Sequence, residues 1–182
     1  NGTRTLTSNN GSMSFGGTLD SYNVGLDPLT LNAGDGTVTF SGAVGSVKPL
    51  QSLSVTAATS AINGGSVITG VTGDGGAQSY SGNVTLGSAA TTLTMVDTAS
   101  NFTLASGKSI TNASGGDATL TIKTPSSIVL SSGSSISSST GKLNTILWAD
   151  TDGNNDGRIG VVGTSGNTSK ITTNGGHLWM GG

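Results

Sequence analysis

FTLASGKSI, residues 102–110, returns as IVLSSGSSI, residues 128–136, with Phe102 falling on Ile128, Leu104 on Leu130 and Ile110 on Ile136 at an offset of 26 residues. A fixed offset of this size marks stacked supersecondary units, none of which can bury its apolar face alone. Continued at the same offset, the match sets Gly115 on Gly141, and Leu120 and Ile122 on Ile146 and Trp148, so Ile146 and Trp148 are expected inside with Leu104, Ile110, Leu120, Ile122, Leu130 and Ile136. Further out, short apolar-x-apolar triplets recur at Leu29/Leu31, Val38/Phe40, Leu53/Val55, Val84/Leu86 and Leu93/Met95. Alternate side chains of a strand share a face, so each triplet buries two residues, and the Gly, Ser, Asn and Asp between triplets supply turns. LTLNAG at 29–34 opens as the later copies do, although its spacing to them is irregular. The pattern predicts an all-β right-handed parallel β-helix, a β-solenoid whose inward Leu, Ile, Val and Phe stack in ladders.

Composition agrees. Gly, Ser and Thr make up 87 of the 182 residues, and Leu, Ile, Val and Phe only 39, so a compact thick core is not expected. All nine acidic residues are Asp, none is Glu, and Thr, Val and Ile total 49, which disfavours helix nearly everywhere. A formal net charge of -2 from few charged residues leaves no nucleic-acid footprint. With Cys 0 there is no disulfide and no thiolate site. The longest apolar run, Ile146 to Ala149, is far short of the roughly 20 residues of a membrane-spanning helix. The chain starts at Asn1, and neither residues 1–12 nor 172–182 read as an amphipathic capping helix. Residues 1–182 are therefore expected to be a single solenoid module, a fragment or repeat of a larger protein. It either continues covalently into adjoining repeats or meets copies of itself head to tail through its terminal coils, at the Asn1 to Ser14 and Lys170 to Gly182 ends.

Two stretches carry a resemblance. Gly36 to Thr94, from GTVTFSGAVGSVKPLQSL to NVTLGSAATTLT, resembles the repeats of giant filamentous-haemagglutinin-like and autotransporter-type surface proteins of Gram-negative bacteria. ILWADTDGNNDGRIGV followed by ITTNGGHLWMGG, within Ile146 to Gly182, is similar to another recurring unit of those proteins. The resemblance implies a right-handed β-helix, export to the cell surface or medium, and a role in adhesion, aggregation or matrix building.

Candidate chemistry is sparse. Asp150, Asp152, Asn154 and Asp156 lie in DTDGNNDGRI. Read from Asp152, this run has oxygen ligands at positions 1, 3 and 5, Gly at 6 and an apolar residue at 8, as a calcium loop requires. Position 12 is Gly163, so the bidentate carboxylate is missing, and an Asx-turned excursion between two coils accounts for the same residues. Arg158 beside Asp152 and Asp156 would suit a polysaccharide-cleaving β-helix only with further carboxylates, and the other six Asp are spread among turns. His177 is the only histidine and flanks a turn beside the inward pair Leu178 and Met180. The glycine clusters at 64–65, 73–76 and 115–116 lack phosphate-loop spacing. Acceptor sequences at Asn1, Asn10, Asn83, Asn101, Asn112 and Asn167 barely exceed the roughly four that chance gives at this Asn, Ser and Thr content. Thr-x-Thr pairs at Thr5, Thr37, Thr92 and Thr119 would bind ice only if stacked, and they do not recur at 26 residues. A sugar-stacking platform could form only around Trp148 and Trp179.

The sequence thus reads as a non-enzymatic structural and adhesive module of a large secreted or cell-surface bacterial fibre protein. Its alternative is a self-assembling filament subunit joined end to end, and a carbohydrate- or ice-binding solenoid is more remote. No cofactor is expected beyond the calcium just considered. Partners would be itself, adjoining repeats, or cell-surface glycans and other cells, with no nucleic acid and no membrane-spanning segment.

Overall fold

Short strands of β-branched and apolar residues, separated by turn formers, pair with the next coil rather than with their sequence neighbours. A computed structural model describes residues 2–182; among these are nineteen strands and no helix, and every strand pair is parallel. Three sheets wrap one axis. The first stacks Arg4–Thr7, Leu29–Asn32, Leu53–Thr56, Gln78–Tyr80, Phe102–Leu104, Ile128–Leu130 and Ile159–Val161. The second stacks Met13–Phe15, Thr37–Phe40, Thr59–Ile62, Asn83–Leu86, Ser109–Asn112, Ser135–Ser137 and Lys170–Thr172. The third stacks Ser66–Thr69, Ala90–Met95, Ala118–Lys123, Leu143–Trp148 and Leu178–Gly181, and single bridges Leu19↔Val44 and Val44↔Val67 carry it down to the first coil. The chain visits the three sheets in turn and returns to the first, so the fold is a parallel β-solenoid of seven strand layers, spanning six turns.

The core is a set of columns. Leu31, Val55, Tyr80, Leu104 and Leu130 stand in register up the first sheet, each at most 1% exposed. Val84, Ile110 and Ile136 do the same in the second sheet, and Val67, Leu93, Ile122 and Leu147 in the third. Every apolar triplet named from the sequence is buried in this way. Because inter-strand hydrogen bonds run along the axis, each coil is held by its two neighbours.

The 26-residue step holds for Phe102↔Ile128, Leu104↔Leu130 and Ile110↔Ile136. It fails in the third sheet, where Leu120 pairs with Thr145 and Ile122 with Leu147, a step of 25. The residue is lost at the corner before Leu143: Gly141 sits on Gly116 rather than on Gly115, so closely that a Cβ at 141 would lie 2.2 Å from the Gly116 carbonyl oxygen. Asn112 ties this corner, its amide donating to Gly116 O at 2.8 Å, and to Ser138 Oγ and Thr140 O at 3.2 Å. With a side-chain period of two, one residue of slip exchanges the faces. Leu143, Thr145, Leu147 and Ala149 therefore point inward, Ile146 is only half-buried and Trp148 is exposed. Leu178 and Met180 do occupy inward columns, over Thr145 and Leu147, but no further coil covers them, and they are exposed.

Candidate functional site

The last turn of the first sheet, from Ile128 to Ile159, takes 31 residues, and the surplus is the excursion at 150–157. Its backbone reverses through positive φ at Asp150, Gly153 and Asn155. Asp150, Asp152 and Asp156 come together with carboxylate oxygens within 4.8 Å of one another, Asp150 half-buried and the other two exposed. Three of the four residues predicted as ligands thus converge through carboxylates. The fourth, Asn154, lies among them with its amide nitrogen, which donates to Asp152 Oδ2 at 3.0 Å and to Asp156 Oδ2 at 3.1 Å. Asp150 Oδ1 accepts from the Asn155 N–H at 3.0 Å, and Asn154 Oδ1 accepts from the Asp156 N–H at 3.0 Å. This arrangement closes the excursion by itself. For the carboxamide to present its oxygen to a cation it would have to rotate away from both carboxylates.

Arg158 follows the cluster without joining it, since the one ion pair among the described residues is Arg4 with Asp27 at 3.5 Å. Two carboxylates elsewhere are shielded and perturbed. The Asn23 N–H and the Ser21 hydroxyl hold the Asp27 carboxyl below the usual range, helped by Arg4. The Ala99 N–H, joined by those of Gly73, Gly75 and Asp74, does the same for Asp97. Both are turn staples with no second titrating partner, so neither forms a proton-transfer pair. His177 is exposed, and its N–H donates to Asn144 Oδ1 at 2.9 Å at the entry to the last strand. Among the acceptor sequences, Asn112 is buried with its amide committed to three oxygens, and Asn1 lies outside the described residues. Thr92 and Thr94 stack on Thr121 and Lys123, and Thr37 and Thr39 on Thr59 and Ala61, so no Thr pair continues through three coils.

The polar knot inside the solenoid was not legible in the sequence. Gln78 occupies an inward column between Leu53 and Phe102; its amide donates to Val67 O and Thr94 O at 3.1 Å and to Thr69 Oγ1 at 3.3 Å, and it accepts the Tyr80 hydroxyl at 3.2 Å. Burial pushes the Tyr80 phenol far above its ordinary range. QSY shows the same alternation as any other triplet, and only the fact that Gln fills an apolar phase could have announced it.

The register slip builds the remaining feature. Trp148 is 43% and Trp179 48% exposed on the outer face of the third sheet, with ring centroids 6.1 Å apart and planes at 84°. A search of protein-family models, of curated proteins and of solved structures finds no match to this chain.

Proposed function

We propose that the chain is a non-catalytic structural and adhesive rod segment of a large secreted or cell-surface bacterial fibre protein, working through length, rigidity and a repeated outer surface. The observation that carries this reading is the unbroken stack of three parallel sheets, seven, seven and five strands deep, around one continuous apolar core. At about 4.8 Å per layer, six intervals give a rise of roughly 29 Å for only 182 residues. The resemblance of residues 36–94 and 146–182 to repeats of filamentous-haemagglutinin-like proteins supports the same reading. Cells displaying the chain should bind surfaces or one another more than cells displaying an unrelated solenoid of equal length. Equal attachment would remove the adhesive half of the reading and leave the rod.

A second reading, a subunit joined end to end, draws on the terminal coils. Leu6 at one end is 46% exposed, and Val161, Leu178 and Met180 at the other are 43%, 47% and 41% exposed, all standing on inward columns. Solenoids cover apolar residues on such columns by a capping segment, by a further coil of the same polypeptide or by a copy. Sedimentation distinguishes the two: concentration-dependent growth supports the filament, and a monomer throughout supports covalent continuation.

A further inference from the structure

The outer face of the third sheet presents its side chains on a grid. Thr94, Lys123, Trp148 and Gly181 form one column, and Thr92, Thr121, Ile146 and Trp179 the next. The two indoles meet at a right angle across neighbouring coils. Gly181 makes this possible: it stands above Trp148 without a side chain, and a Cβ there would lie 2.9 Å from Trp179 Cζ2. Beside Trp148 runs a groove of about 250 Å³ lined by Thr94, Val96, Lys123, Pro125 and Thr151. Trp148 therefore gives this groove one apolar ring surface with an ammonium and two hydroxyl groups at its rim, while Trp179, outside the groove, packs against Trp148 from the next coil and holds it in place.

We propose that this groove binds one pyranose ring of a neutral glycan. An indole face is electronegative and attracts the weakly positive C–H face of a pyranose, and hydroxyl and ammonium groups at the rim satisfy the sugar's own hydroxyls. Area argues against a protein partner. Two indoles less than half exposed offer on the order of 200 Å², against the ~800 Å² per partner of a stable protein interface. Lys123 is the only charged side chain lining the groove, so acidic oligosaccharides are included in the test to separate attraction to its ammonium from stacking on Trp148.

This inference deepens the adhesive half of the proposed function, and soluble glycans test it separately from the rod. The purified 182-residue chain is applied to a microarray of neutral and acidic oligosaccharides, and the neutral glycans it retains are titrated by tryptophan fluorescence, with hyaluronan tetrasaccharide and phosphatidylglycerol vesicles as contrasts. Neutral glycans should be retained. Trp148→Ala and Trp179→Ala should each weaken binding about tenfold, the scale of one lost aromatic contact, and Trp148→Phe should keep most of it. Gly181→Val should displace Trp179 and weaken binding while the circular dichroism spectrum stays unchanged, whereas Tyr22→Ala, on another exposed aromatic, should leave binding alone. Retention of no neutral glycan, binding confined to hyaluronan or vesicles, or titrations insensitive to both tryptophan changes would each overturn the proposal.

Discussion

Gln78 and Tyr80 illustrate what a thin core does with polar groups. Neither is more than 1% exposed, and each meets the other's demand, with backbone carbonyls of the third sheet taking the remaining amide protons. Gln78→Ala would leave the Tyr80 hydroxyl and Thr69 short of partners in a dry interior, and should cost about 1–3 kcal/mol in denaturant unfolding. Tyr80→Phe, which orphans only one acceptor, should cost less; equal stability of both variants and the parent would show that water enters the core. Asp97 sets a dependence on pH. Its carboxyl lies below the ordinary value because the Ala99 N–H and those of the 73–75 turn bind the charged form, so the folded chain holds fewer protons than the unfolded one. The stabilisation is complete above the unfolded value of about 3.9 and is lost as pH falls through the lower folded value. Melting temperature should be flat from neutral pH to about 5 and fall below about 4. Asp97→Asn should lower the neutral plateau and converge on the parent curve in acid, whereas parallel curves would assign the acid loss to other groups.

At the level of the strand, the central columns carry the load. Leu120 is fully buried with Thr91 below it and Thr145 above, and Leu120→Ala should cost about 2–5 kcal/mol, with the spread set by how far the coil can close over the gap. Less than about 1 kcal/mol would mean that the corner at 112–117 shifts to fill the cavity. The excursion at 150–157 gives a second test. Asn154 already bridges Asp152 and Asp156, so melting curves in calcium and in chelator should coincide. A calcium-dependent rise abolished by Asp152→Ala would make the loop a metal site instead. The strands, their parallel stacking and nearly the whole core were legible in the sequence because alternation is read locally and the repeat of 102–110 in 128–136 gave the coil length. Trp148 was misplaced for a reason of the same kind. Nothing in SGGDATLTIK against STGKLNTILW shows which corner is a residue shorter, and that depends on Gly141 settling on Gly116, a contact between coils. The misreading fell on the residue that, turned outward, forms the aromatic corner. The acidic cluster was legible as a convergence of carboxylates, while the orientation of the Asn154 amide was not.

For the whole molecule, the terminal coils decide behaviour in solution. If copies meet end to end, Leu178→Asp with Met180→Asp should place charge on the inward columns of the last coil and abolish concentration-dependent sedimentation while leaving the circular dichroism spectrum intact. Assembly that survives both changes would point to contacts along the sides of the rod. If the segment is continued or joined end to end in a fibre, load enters it through its two ends, along the direction in which the inter-strand hydrogen bonds point. Tension then separates a terminal coil one bond after another, as a zip opens, rather than shearing a whole strand at once. Each coil of 24–26 residues that lets go releases about 80 Å of slack at ~3.5 Å per residue, against the ~5 Å it occupied in the stack. Under tug the segment would behave as a shock absorber, lengthening in steps at modest force and rewinding coil upon coil when the strain is released.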